Sequence, residues 1–579
     1  MKSARHLPWG GGILAALAAM SCSQQHAPPP TASAPSPEPA AMASMASAPG
    51  TPASLTDWAR GAQIFEGMGT FHRKISSSSA DAQQYFDQGM RFMWAFNHDE
   101  ASRSFARAAQ LDPQCGICLW GVALTVGPNY NMPIMAEPRA KVAFETLQQA
   151  TTMLDHASPE ERALINALKA RYPNPRALDP SNEGPVLTAY ADAMRDAAKQ
   201  FPNDADIQTM YAESLMNTNA WKLWTLEGKA AAGTDEIVKT LESVLSRDPS
   251  HPGANHYYVH ATEASPHPEK AIAAAERLRG MMPAAGHLEH MPSHTMQRVG
   301  RYEDAAEANR KGAAADGIYL SKTQPPDYYV MYVAHNFQFL GYATAMQGRK
   351  AETLAAMTQL KSVFPEEAML AMPGTDWYGS ERYLAMVRFG QWDEILAEPA
   401  PNPSLKALTA GYLYARIAAL AARGHMAEAK QAQKELESAR TSLPPDSPAG
   451  LNVASDVLAL AASLAAAHVQ IAEHKDREAI VTLTAAVAQE DKLAYDEPAD
   501  WFIPVRHLLG AQLIKVGQFA RAESVYRQDL ARNPNNGWSL FGLAQALHRQ
   551  GKTKEAAAVD GQFAAAWKQA DVILTASVF

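Results

Sequence analysis

Cysteine is scarce, with three in 579 residues, which excludes a disulfide-stapled scaffold. Charge is also thin: 19% of residues are charged and the net charge is −9. A phosphate-binding surface needs a basic excess, so nucleic acid is excluded as a partner. Phosphate loops, Ser nucleophile elbows and the His-Glu-x-x-His zinc motif are missing. Past the first two dozen residues no run is long and apolar enough to predict a membrane helix. The stretch Leu451 to His468 is rich in Ala and Leu but is interrupted by Asp456 and Ser463, and reads as a buried helix. What the chain does have is 47% hydrophobic residues, enough for a large core, so global disorder is excluded. Its length permits three or four domains or one long repeat array.

The N-terminus reads as an address. Lys2 and Arg5 precede an apolar run from Ile13 to Ala19, too short to span a bilayer and suited to a secretory signal. Ala19-Met20-Ser21-Cys22 resembles a bacterial lipobox with Cys22 as the lipidated residue, although Ala19 stands where Leu is usual. Ordinary signal cleavage near the same place is the alternative. Either way the mature chain is expected to be exported, as a periplasmic protein or an outer-membrane-anchored lipoprotein. Residues 23–55 are rich in Pro, Ala and Ser and predict a flexible linker. A helical array is expected over 56–443 and a second over 451–579, with a break at Pro444 to Gly450.

The body repeats every 34 residues. With Ala82 as position 1, Gly89 falls at position 8, Ala101 at 20, Phe105 at 24, Ala108 at 27 and Pro113 at 32. From Ile503 the same places hold Gly510, Ala522, Tyr526 and Pro534. Further copies start at Pro252 and Gly286, and others surround Gly348 and Gly551. Asn129 to Pro138, Ala230 to Thr234 and Gly317 to Tyr329 fall out of register and are expected to be loops or extra turns. This spacing resembles the tetratricopeptide (TPR) repeat, two antiparallel helices ended by a Pro-stopped turn. The segments Phe86-Asp87-Gln88-Gly89-Met90, Asn97-His98-Asp99-Glu100-Ala101, Cys115-Gly-Ile-Cys118, Gly286-His-Leu-Glu-His-Met-Pro-Ser-His294 and Ala334-His-Asn336 resemble those of a group of exported bacterial TPR proteins. The resemblance implies an all-α, TPR-type helical-hairpin solenoid and no particular activity.

In TPR proteins positions 2, 5, 9 and 12 of the first helix face the concave groove. The resemblance therefore places His256, His260 and Glu263, from the repeat at Pro252, and His287, His290 and His294, from the repeat at Gly286, on one surface. His256 and His290 are 34 residues apart, as are His260 and His294. His335 takes position 2 of the next unit if that unit begins at Ala334. Seven of the 18 His lie between His251 and His294, where uniform scatter would put roughly 1.4. His251 and His267 fall in predicted loops and stand outside the set. Imidazole pairs at i,i+4 suit a transition metal, Cu or Zn. The surplus of donors suggests a multinuclear site, or members that orient others or move protons. Pro292, between His290 and His294, either bends the helix or starts a new one. The competing readings are a metal-free groove that hydrogen-bonds an anionic or peptide ligand, including an adaptor for a partner protein, a pH-responsive surface, and a purely structural role.

Cys115 and Cys118 occupy positions 2 and 5 of the second repeat, facing the same channel. Leu119 stands where haem attachment needs His, and no βαβ unit adjoins the pair. A disulfide at a helix start fits an oxidising compartment better than a soft metal site.

Overall fold

In a computed structural model, the protein is an all-α solenoid of helical hairpins. The structure describes residues 52–579 apart from 133, 180, 324–327 and 373. The signal segment, Cys22 and nearly all of the linker lie outside the described residues. Ser54 caps the Leu55–Ala59 helix, which therefore spans the expected boundary between residues 55 and 56.

The repeat register has a packing cause. Helices Ala80–Trp94 and His98–Leu111 form the first hairpin, and Gly116–Thr125 stacks on it. The Phe105 ring lies between Gly89 and Gly121. A Cβ on either glycine would come within 2.6 Å and 2.5 Å of that ring, inside van der Waals contact, so the aromatic at position 24 requires glycine at position 8 of its own unit and of the next. Tyr526 repeats the arrangement between Gly510 and Gly542.

Several expectations need correcting. Gly317 does not open a loop: the Tyr302–Lys322 helix runs straight through it, because Ala315, Asp316 and Tyr319 are buried on one face of that helix. The unit carrying His335 starts earlier than Ala334, as the Tyr329–Met346 helix. Pro292 does start a helix: Gly286–His290 ends, Met291 intervenes, and Pro292–Arg298 follows. Ala454–Ala472, with hydropathy 1.4, is long and apolar enough to cross a membrane by length and composition. It nevertheless packs against Lys406–Ala422, Met426–Thr441 and Asp476–Glu490, as a solenoid helix does. At the predicted break, Pro448–Ala449 pairs antiparallel with Asn452–Val453, and helices on either side of this small hairpin remain stacked.

The C-terminal hairpins also pack back onto the middle of the chain. Trp538 Nε1 donates to the Ala345 carbonyl at 2.8 Å and Trp377 Nε1 to that of Asp500 at 3.0 Å. Asp571 accepts from the backbone N–H groups of Lys350 and Ala351 at the start of the Lys350–Val363 helix, a charge placed where the helix dipole favours it.

Candidate metal centre

The Pro252–Thr262 helix carries His256 and His260 one turn apart, with Glu263 as its C-cap. His251 caps its start, accepting from Ala254 N at 3.0 Å while its other ring nitrogen meets Asp206 at 2.9 Å. It is thus a helix cap and not part of the cluster. His267 is exposed beside Glu269. Glycine at 253 has a specific purpose, since a Cβ there would lie 2.3 Å from the Trp94 ring. The resulting close approach lets His256 Nδ1 donate to the Trp94 carbonyl at 2.6 Å.

The structure gathers all six histidines. The ring centroids of His256 and His260 are 4.9 Å apart, those of His256 and His287 5.0 Å, those of His290 and His294 4.8 Å and those of His290 and His335 4.9 Å. Three groups have ligand atoms within 4.8 Å of one another: His256/His260/His287, His290/His294/His335 and His260/Glu263/His294. The bend at Met291 does not part His290 from His294, whose Nε2 atoms are 2.8 Å apart. His287 Nε2 stands 3.2 Å from His256 Nε2.

Five of the six rings are tied from behind at Nδ1. His256 donates to the Trp94 carbonyl, His260 to Glu263 at 3.2 Å, His290 to Asn309 Oδ1 at 2.6 Å and His335 to Gln338 Oε1 at 2.9 Å, while His294 Nδ1 lies 2.9 Å from a Glu263 oxygen as an ion-pair contact without hydrogen-bond geometry. Gln338 is itself fixed by donating to Glu381. Each of the four hydrogen-bond acceptors sets the Nδ1–H tautomer and turns Nε2, with its lone pair, into the cluster. His260 Nε2 is buried without a protein partner. His287 is held by stacking on Phe96 and by the edge of Tyr332. Phe96 is a non-glycine residue with φ of 54°, in the turn between the Ala80–Trp94 and His98–Leu111 helices. That left-handed conformation is costly. It lays the ring against His256, His260 and His287, with centroids 4.5, 5.9 and 5.6 Å away.

Sequence reasoning missed Glu497, which reaches His294 Nδ1 from the loop before Trp501. Nothing in the repeat register points to it. Glu263, expected as a ligand, contacts the Nδ1 side of His260 and His294, behind the rings. Asn255 bonds to Arg277 and Tyr258 to Glu242, while Asn336 donates to Asp316, so these three are occupied with packing. Trp501 and His507 likewise belong to the docking of the C-terminal hairpins.

The cluster is an interior and not an open groove. His256, His260, His290 and His294 are at most 2% exposed. Tyr130 and half-buried Trp221 close over His260, and of the six histidines His335 is the half-buried one, beside half-buried Tyr332. Burial holds His256, His260, His287 and His290 well below the usual imidazole range, in the neutral form that binds metal. His335 is pushed down to about 3, by burial and then by His294. His294 is the opposite case: burial works against its charge, but the Glu497 and Glu263 carboxylates raise it to about 10. The facing Nε2 atoms of His290 and His294 therefore need a positive charge between them. That charge is a proton or a metal ion, and the two compete.

Cys115 and Cys118 form a disulfide at the start of the Gly116–Thr125 helix, with Cα atoms 5.3 Å apart. Both are buried, and neither belongs to a ligand-distance group among the described residues.

No protein-family model and no curated protein sequence matches the chain. Solved helical structures are similar at low identity. The human IFIT1 dimer with m7Gppp-AAAA is 12% identical, with 77% of this chain and 89% of that one covered and a TM-score of 0.31. The Cut9–Hcn1 hetero-tetramer of the APC/C gives 13%, 89%, 79% and 0.30. Yeast Tom70 gives 12%, 85%, 92% and 0.28. Scores this low add nothing to the hairpin geometry, on which the fold assignment rests. Fold and site together define a helical-repeat solenoid with a cluster of six imidazoles enclosed in it.

Proposed function

We propose that this solenoid is the housing of a transition-metal centre, Cu or Zn, serving metal handling or metal-dependent chemistry. One observation carries the reading: six imidazoles converge with Nε2 inward, while at least five are anchored outward through Nδ1. Metal-binding histidines show this arrangement because the anchor fixes tautomer and direction and raises ligand basicity. A core histidine that merely packs needs no such convergence. The donor set, nitrogen-dominated, suits Cu and Zn better than Mg or Ca.

The same reading takes the chain to be exported, on the strength of Lys2, Arg5, the apolar run to Ala19 and Cys22, and so able to meet metal outside the cytoplasm. Elemental analysis of the purified protein tests the proposal. Bound Cu or Zn that falls in both His256→Ala and His294→Ala is the expected outcome. Protein that stays metal-free after incubation with Cu(II) or Zn(II) overturns it and leaves a scaffold for a protein or peptide partner.

A further inference from the structure

We infer that the cluster holds two metal ions, one on His256, His260 and His287 and the other on His290, His294 and His335, with open positions facing each other. This rests on the metal reading above and goes beyond it in fixing number and arrangement.

The geometry divides the six donors. The two imidazole groups within ligand distance share no member. Inside each, a pair of Nε2 atoms stands 3.2 or 2.8 Å apart. Ligands bonded to one tetrahedral ion at 2.0–2.1 Å lie about 3.3 Å from each other, so these pairs are spaced to share an ion. Across the two groups ring centroids are 5.5 Å apart for His260 and His294 and 5.8 Å for His287 and His290, inside the spread found within each group, where His260 and His287 are 6.2 Å apart and His294 and His335 5.8 Å, so the division rests on the ligand atoms and not on the ring centres. Neighbouring triads of this kind suit two ions about 3.5–4 Å apart, the spacing of known two-metal sites. The unpartnered His260 Nε2 is a third donor for the first ion.

The third group, His260/Glu263/His294, is the rival for a single ion. Glu263, however, already accepts from Nδ1 of His260 with one oxygen and lies against Nδ1 of His294 with the other. A single carboxylate therefore orients one ring of each triad and ties the two halves together. Drawing it in as a ligand would release both rings. Three nitrogens leave each ion an open coordination position. In this arrangement the open positions would face each other on the side of half-buried His335 and Tyr332, and a small oxygen donor such as water or hydroxide would bridge them.

The test is copper loading of the full chain. Two Cu(II) per chain are expected, with an electron paramagnetic resonance signal far below two spins because bridged neighbouring ions couple. His256→Ala and His335→Ala should each retain one ion and gain the signal of an isolated Cu(II). One ion per wild-type chain, abolished by either variant, overturns the two-ion arrangement while leaving the metal proposal standing. Two ions with two full spins overturn their facing placement. No bound ion removes the metal proposal itself. The wild-type count and spin decide the matter even if a variant fails to fold.

Discussion

At the scale of single residues, what the sequence showed was chemistry repeated at a fixed spacing. His256 and His290, and His260 and His294, are visible because the 34-residue register puts the same side chain on the same face twice. The groups behind them were not visible. The Trp94 acceptor is a backbone carbonyl, which any residue would offer. Asn309 and Gln338 are single polar residues with no recurrence, and Glu497 is over two hundred residues from its partner. These outer contacts make a prediction. Asn309→Leu removes the acceptor from His290 Nδ1 and frees the ring to turn. Removing an outer-shell partner typically costs 10–100-fold in metal affinity. Asn309→Leu should therefore weaken binding by about that factor with the number of bound ions unchanged, as read by competition with a chromogenic chelator. Unchanged affinity would show that the ring is held by packing on Phe339 alone.

At the scale of elements, hairpins were legible wherever small and aromatic residues alternate in register, because a steric pairing fixes both. Gly89→Ala would place a Cβ 2.6 Å from Phe105, and overpacking of this kind costs about 1–3 kcal/mol. A fall in urea midpoint with unchanged helicity is expected. The end of the Tyr302–Lys322 helix was illegible: its start follows the repeat register at Tyr302 and Ala305, but from Gly317 the register fails, and the buried face there depends on partners elsewhere. One of those buried groups is Asp316, which accepts from Tyr329 Oη at 2.7 Å and Asn336 Nδ2 at 2.6 Å. Burial pushes its carboxyl up to about 7. The folded chain thus holds a proton that the unfolded chain releases near pH 4. The stability this gives is fully present below that pH and is lost as pH climbs to about 7. Between pH 5 and pH 8 the loss is about 3 kcal/mol. In chelator-treated protein, Asp316→Asn should flatten this fall in urea midpoint, and an unchanged slope would assign it to other buried carboxyls such as Glu381 or Glu490.

At the scale of the whole molecule, a repeat register predicts only that each unit touches its neighbours. It cannot predict that the last hairpins return to the middle of the chain, bringing Glu497 to His294. That return is held by a buried polar chain across the two arrays. Arg388 donates to His507 Nδ1 at 2.8 Å while stacking 3.7 Å from the Trp538 ring centroid. His507 Nε2 then meets Asp529 at 2.9 Å, and Asp529 also accepts from Ser539 at 2.6 Å and Asn536 at 2.9 Å. Burial opposes the Asp529 charge, but His507 and these donors outweigh it and hold the carboxyl down to about 2. A depressed carboxyl stabilises the fold above its unfolded value near 4, and that stability is lost as pH falls toward 2. Asp529→Ala would leave the buried Arg388 without the carboxylate that offsets its charge, and His507, Ser539 and Asn536 without their acceptor, a change that costs about 3–5 kcal/mol. The expected result is a large drop in urea midpoint at pH 7 that shrinks as both proteins are taken toward pH 2. Because the damage falls on the joint between arrays, Glu497 should be released from His294 as well. Metal affinity should then fall with stability, although Asp529 touches no residue of the cluster. A destabilised variant that kept full metal affinity would show that the joint and the centre are energetically separate.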